Sequence, residues 1–258
     1  MRRLPLIAAL LMLALPTARA EEGDPFAAGA AAYEAGDYET ARALWQPLAE
    51  AGDPRAQYWL SDLYRFELGV ARDYLAARDL LKQAADQTDN PDILRRAAYA
   101  LGYMADDGLG MPEDDDKAEC LYRVAAENGY DNAQFALYRF LTLKPGISFE
   151  ALNWAERGAA QGDHRSLAAV GDVGIMMPGR EERLEGYLFL ILAEKQGNDL
   201  ARRRLAEVRA EIAGRARAGA NRRTEALLRE AEALARDWTA TPEAPPSPPV
   251  TVPQECWP

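Results

Sequence analysis

The chain has 258 residues, with 41 carboxylates against 30 lysines and arginines and a formal charge of −11. That balance argues against nucleic acid as the main partner, because phosphate binding needs a cationic face. With 48% hydrophobic and 28% charged residues the composition is ordinary for a globular chain long enough to bury a sizeable core.

Residues 1–20, "MRRLPLIAALLMLALPTARA", join two arginines to an apolar run from Leu4 to Leu15 and end in Ala18-Arg19-Ala20. This reads as a secretory signal with a cleavage site after Ala20. The run is too short to span a bilayer, and no later segment is long and apolar enough to do so. No cysteine follows the cleavage site, so a lipid anchor is not indicated. The expectation is an exported mature chain, periplasmic or secreted, with no stable membrane span.

Residues 21–199 are expected to form paired helices. The first pair, "EEGDPFAAGAAAYEAGDYETARALW", is rich in alanine with a short connecting loop, and reads as an N-terminal cap. Three segments then align: "AQYWLSDLY" from Ala56, "AAYALGYMA" from Ala97 and "AQFALYRFL" from Ala133. Each has a small residue, an aromatic two later (Tyr58, Tyr99, Phe135) and a leucine four later (Leu60, Leu101, Leu137). The offsets, 97 − 56 = 41 and 133 − 97 = 36, fall in the period range of helical-pair solenoids. Weaker copies begin near Ser166 and Ala201. The second half of each copy carries a large apolar residue (Leu44, Leu80, Leu121, Trp154, Phe189). It ends mostly in glycine (Gly52, Gly129, Gly162, Gly197), where a helix C-cap needs a left-handed residue.

The fullest copy, "ALGYMADDGLGMPEDDDKAECLYRVAAENGYDNAQ", resembles a Sel1-like repeat, a relative of the tetratricopeptide repeat. The matching residues are Ala97, Leu101-Gly102, Gly108-Leu109-Gly110-Met111, Asp114, Lys117-Ala118, Leu121 and Ala125-Ala126-Glu127-Asn128-Gly129. Residues 54–91 keep Gly69-Val70 and Asp73 but lose the first loop glycine, and residues 132–163 shorten the loop to "KPGIS". The resemblance covers residues 27–205, more loosely at both ends. It implies an all-α, right-handed α-solenoid of helix-turn-helix repeats. It also implies adaptor or scaffold work, with ligands held on the inner face.

The acidic residues of this copy, Asp106, Asp107 and Glu113 to Asp116, have the look of a cation loop. The repeat pattern gives them a different task. Gly108 and Gly110 turn the chain, and Asp114 to Asp116 cap and complement the next helix. The spacing also lacks the terminal bidentate glutamate of a twelve-residue calcium loop. No metal or cofactor is expected.

The one histidine, His164 in "QGDHRSLA", falls in the first turn of a helix without recognisable catalytic or zinc partners. Motifs for nucleophilic, metal-hydrolytic and phosphate-binding chemistry are missing, so the chain does not read as an enzyme. Residues 200–239, "LARRRLAEVRAEI" and "RRTEALLREAEALARDW", read as a C-terminal capping hairpin ending at Trp238. From Arg202 to Asp237, ten arginines oppose five glutamates and one aspartate, about +4 locally. That is either a solvated helix face or a docking patch for an acidic partner or an anionic envelope polymer.

Residues 240–258 form a proline-rich tail. The chain's two cysteines are Cys120 and Cys256. Cys120 sits one place before Leu121, at a position held by Asp79 and Asn153 in other repeats, so it should face outward. The expected outcome is a Cys120–Cys256 disulfide strapping the tail across the outer side of the array. A loop of that length is worth on the order of 4–5 kcal/mol at most in the chain-entropy model. Pairing with a partner's cysteine is the alternative.

By helical angle, Tyr58, Asp62 and Arg65 point away from Ala56, Leu60 and Leu63. Their equivalents are Tyr99, Tyr103 and Asp106, then Phe135, Arg139 and Thr142. The candidate partner-binding residues are therefore Tyr58, Asp62, Arg65, Tyr99, Tyr103, Phe135 and Arg139, an aromatic ladder flanked by charge. In the other reading the aromatics simply pack between repeats. The function expected is an exported protein-protein interaction scaffold binding a protein, peptide or envelope component. An accessory subunit of a cell-envelope enzyme or of polysaccharide or secretion machinery is the alternative.

Overall fold

Aspartate and asparagine decide where the helices begin. In the computed structural model, which describes residues 24–86, 90–144, 149–216, 222–245 and 249–257, the side chains of Asp24, Asp37, Asp53, Asp73, Asn90, Asp114 and Asp163 each accept a backbone N–H in the first turn of the helix that follows. A short oxygen-bearing side chain at this position satisfies a donor the helix itself cannot. The expected leader, residues 1–20, lies outside the described residues.

Twelve α-helices follow among the described residues: α1 Pro25–Glu34, α2 Tyr38–Glu50, α3 Pro54–Phe66, α4 Tyr74–Ala85, α5 Pro91–Asp106, α6 Asp115–Glu127, α7 Asp131–Thr142, α8 Phe149–Ala160, α9 His164–Met176, α10 Arg180–Lys195, α11 Asp199–Ala216 and α12 Arg222–Leu234. They pack in consecutive antiparallel pairs, α1/α2 through α9/α10, and each pair stacks on the next. The fold is an all-α solenoid. No described helix is long and apolar enough to cross a membrane.

The turn glycines at 52, 129, 162 and 197 all take positive φ. At those turns Asp53, Tyr130, Asp163 and Asn198 donate their N–H groups to the carbonyl five residues back, which closes the preceding helix and launches the next. A second interlock joins neighbouring pairs. Gly110, at φ +69°, lies against the start of α4, where an added Cβ would stand 2.7 Å from the carbonyl oxygen of Tyr74. Gly69 meets Tyr38 at the start of α2 in the same way. The loop within one repeat thus rests on the second helix of the repeat before it.

The core has three parts. Trp45, fully buried, centres the first with Ala56, Leu60 and Leu63, and donates its indole N–H to the Phe26 carbonyl (3.2 Å). The middle part holds Leu94, Leu101, Met104, Leu121 and Leu137, all fully buried. The third holds Leu167, Leu190 and Leu205. Small residues stand where helices cross, as at Gly102, whose Cβ would come within 2.8 Å of the Tyr122 ring.

The C-terminal helices differ from the expected hairpin. α11 and α12 barely touch each other, and both lie on α10. The apolar stripe of α11 is narrow (Ala201, Leu205, Val208, Ile212) and is used up against α9 and α10, so α12 takes the remaining flank of α10 with Leu227, Leu228 and Ala231. Among the described residues, arginines of this region pair with carboxylates: Arg202 with Asp199, Arg204 with Asp172, Arg209 with Glu194 and Arg229 with Glu225. Trp238 packs against the third core part and under Gly162.

After Trp238 the described tail residues lie back along the array. Thr241 donates its N–H to the Ala160 carbonyl (2.8 Å). Cys256, in a short 3-10 turn Gln254–Cys256, is joined to Cys120 on α6 with a Cα–Cα distance of 5.8 Å. Cys120 had been expected on the outer surface; it is half-buried, because the tail covers it and adds Val252 and Cys256 to the middle core.

Candidate binding groove

Seven residues were expected to share one exposed face, and the structure divides them. Tyr58 and Asp62 are buried, 9% and 7% exposed. The helical-angle reasoning placed them correctly opposite Ala56 and Leu60. It missed that α3 has a further neighbour, since α5 stacks against its far side. Tyr58 accordingly belongs to the middle core, while Ala56, Leu60 and Leu63 belong to the first. Phe135 is half-buried against Tyr138 and beneath the Arg165 guanidinium, 4.8 Å from its ring centroid. Tyr58 and Asp62 are thus enclosed between repeats, and Phe135 is partly so.

Asp62 is an unusual constituent of that joint. Arg65 lies 3.3 Å away, yet among the described residues one Asp62 carboxylate oxygen and one Arg65 nitrogen find no hydrogen-bond partner. Burial pushes the Asp62 carboxyl up to about 6, against the opposing pull of Arg65 and Arg96. Burial also raises the Tyr58 hydroxyl, assisted by the charge of Asp62.

The remaining residues do come together. Tyr99, Tyr103 and Arg139 line a groove of about 480 Å³ between α5, α6 and α7. Arg65 lines a smaller adjoining hollow of about 140 Å³ with Phe66 and Tyr74, and Tyr103 is the wall common to both. Tyr103 is 43% exposed and Leu143, at the groove's edge, 82% exposed. Arg139 is exposed, and its side chain makes no hydrogen bond or ion pair among the described residues.

Charge is sorted across the groove. On one wall stand Asp106, Asp107 and Asp115; on the other, Arg139 and Lys144. Asp106 accepts the Tyr122 hydroxyl (3.1 Å), and burial beside this carboxylate holds that phenol protonated far above neutral pH. A hydrogen bond to Asp107 raises Tyr103 likewise. Lys144 pairs with Glu119 and sits 5.3 Å over the Phe140 ring. The surface is aromatic and bipolar.

Sequence reasoning missed Tyr122, Phe140, Leu143 and Lys144. A signal for Leu143 was present: the residues ten places after the anchoring small residue are Phe66, Asp107, Leu143 and Met176, and these close the first helix of each pair. At the end of a helix the stacking neighbours fall away, so this column is exposed.

The acidic loop has a structural role. Asp114 accepts the Lys117 N–H (3.0 Å), which holds its carboxyl below the usual range, and its side chain pairs with Lys117. Among the described residues no three His, Cys, Asp or Glu side chains converge as a metal site would need. His164 meets the Asn198 amide through Nδ1 (3.1 Å), tying the start of α9 to the turn before α11.

Helix pairs stacked in register with a side-chain groove opening between them define a repeat-type binding architecture. The chain carries Sel1 repeats at three positions: the Sel1 repeat model matches residues 54–89, 95–130 and 149–163. It is similar to the exopolysaccharide production negative regulator of Rhizobium meliloti (strain 1021), 27% identical over 69% of this chain and 72% of that protein. It is also similar to the ERAD-associated E3 ubiquitin-protein ligase component HRD3B of Arabidopsis thaliana, 25% identical over 47% of this chain; the chain spans only 22% of that relative. Among solved structures, the uropathogenic Escherichia coli protective antigen c5321, which displays an SLR fold, superposes with a TM-score of 0.62 at 26% identity, covering 82% of this chain and 46% of that one. A Sel1 repeat protein from Oxalobacter formigenes shares the fold with a TM-score of 0.62 at 24% identity, over 81% of this chain and 84% of that one.

Proposed function

We propose that this chain is a non-catalytic binding scaffold whose groove between α5, α6 and α7 holds a segment of a partner protein. The observation that carries this reading is the juxtaposition of exposed Tyr103 and Leu143 with exposed Arg139 around one groove. Tyrosine and arginine beside a hollow are the usual anchors of protein interfaces. The sorted walls favour a partner segment with an apolar side chain flanked by opposite charges. The chemistry fits a protein better than an anionic polymer, because Asp106, Asp107 and Asp115 would repel the latter.

The names of the relatives are consistent with such a role: one is a component of a ligase assembly, another a regulator of exopolysaccharide production. Comparing pulldowns with wild type and with Tyr103→Ala/Arg139→Ala tests the reading. Loss of the same protein species from the variant, with its melting curve unchanged, is the expected result. Retention of every species would refute it.

Export is part of the proposal and rests on residues 1–20. Cleavage after Ala20 should appear as a mature chain starting at Glu21 by mass spectrometry. An intact Met1 in the purified protein would contradict it.

A further inference from the structure

The tail is held by devices that read backbone. Asn128, fully buried at the end of α6, donates its side-chain N–H to the Val250 carbonyl (2.8 Å) and accepts the Val250 N–H (3.0 Å). This pairing is indifferent to the side chain at 250. One repeat earlier along the tail, Gln161 accepts the Glu243 N–H (3.3 Å). The Glu243 carboxylate takes a hydrogen bond from fully buried Gln134 (2.8 Å) and an ion pair from Arg157. The floor between these stations is glycine: a Cβ at Gly129 would stand 3.0 Å from the Glu243 carbonyl oxygen, and one at Gly162 would stand 3.0 Å from the Ala240 Cβ. Asn128 and Gln134 also donate to the Val124 and Ala126 carbonyls within the array, and the tail supplies the further partners that polar groups this deeply buried need.

We propose that this surface, running from Ala160 past Gly129 and Asn128 to Cys120, is a second peptide-binding groove, separate from the one between α5 and α7, and that the chain's own tail is its resident occupant. The partner it fits is an extended segment presenting a glutamate or aspartate to Gln134 and Arg157 and free backbone N–H and C=O groups to Asn128. The disulfide keeps the tail seated and the groove closed. Opening it takes a dithiol: a thiolate attacks Sγ of Cys120, the less buried of the pair, and Cys256 leaves as a thiolate and is protonated. The dithiol's second thiol then resolves the mixed disulfide and frees Cys120. Two electrons pass to the protein, and the dithiol ends as a disulfide.

The test uses the full chain. Glu243→Ala, Val250→Pro and Cys256→Ser together disable the tail without altering the groove. The probe is a fluorescein-labelled peptide of residues 240–257 with serine for cysteine, followed by anisotropy. Saturable binding to the tail-disabled chain is expected, with none to the oxidised wild type and at least a tenfold weakening when Asn128→Ala is added. A folded variant that does not bind, or equal binding to oxidised wild type, would overturn the proposal. The second measurement avoids the variant. In reduced wild type, unlabelled peptide should displace the tail, so that hydrogen exchange at the Val250 amide accelerates with peptide concentration. An exchange rate indifferent to the peptide would equally overturn it.

Discussion

Replacing Asp62 by asparagine should make the protein more stable at pH 7 and leave it nearly unchanged at pH 4. Asp62 is buried in the joint between α3 and α5, and burial raises its carboxyl from 3.8 to about 6. A shift of about two units corresponds to about 3 kcal/mol at 1.36 kcal/mol per unit. Between pH 4 and 6 the folded state keeps a proton that the unfolded state has lost. Stability from this group is therefore greatest below the unfolded value, falls as pH rises through that window, and above pH 6 settles at a constant penalty. Asparagine mimics the protonated carboxyl at all pH values and escapes the penalty. Urea unfolding of both proteins from pH 4 to 7, followed by fluorescence of Trp59 on α3 and of Trp45 packed against it, reads the difference between them, which cancels the titration of the other carboxylates. The difference should grow by up to about 3 kcal/mol in favour of the variant. A flat difference, or a less stable variant at pH 7, would show that the Arg65 contact outweighs the cost of burial and would refute the reasoning.

Three further outcomes follow from the packing. Gly110→Ala should cost about 1–3 kcal/mol, from left-handed backbone and collision with the Tyr74 carbonyl, read as a fall in melting temperature. Trp45→Ala should cost about 3–5 kcal/mol by removing the centre of the first core and should loosen α1 and α2 first, visible as faster hydrogen exchange there than in α9 and α10. Asp114→Ala should lower the melting temperature through the lost cap, and calcium should not raise the melting temperature of the wild type; a rise of several degrees abolished by Asp114→Asn/Asp115→Asn would restore the cation reading.

The helix pairs were readable because their signals are local. The Asp and Asn caps, the turn glycines and the small-aromatic-leucine spacing each act within a few residues. The binding surface was only partly readable, because exposure in a solenoid depends on the next repeat. Tyr58 and Tyr103 belong to the same reading by helical angle, yet α5 covers the first and the second lies far enough along its helix to escape. Cysteine parity and the polar residues at equivalent positions pointed toward Cys120 and Cys256. The buried stations under the tail, Asn128 and Gln134, carried no such signal, since each looks like an ordinary polar residue at a helix end.

The central claim is that the groove at Tyr103 is where a partner sits. A photo-crosslinking amino acid placed at Tyr103, with one at exposed Leu234 on α12 as the comparison, measures it most directly. The account predicts a discrete adduct from position 103 that disappears when Arg139→Ala is added, with none from position 234. Equal adducts from both positions, or adducts from 234 alone, would contradict it.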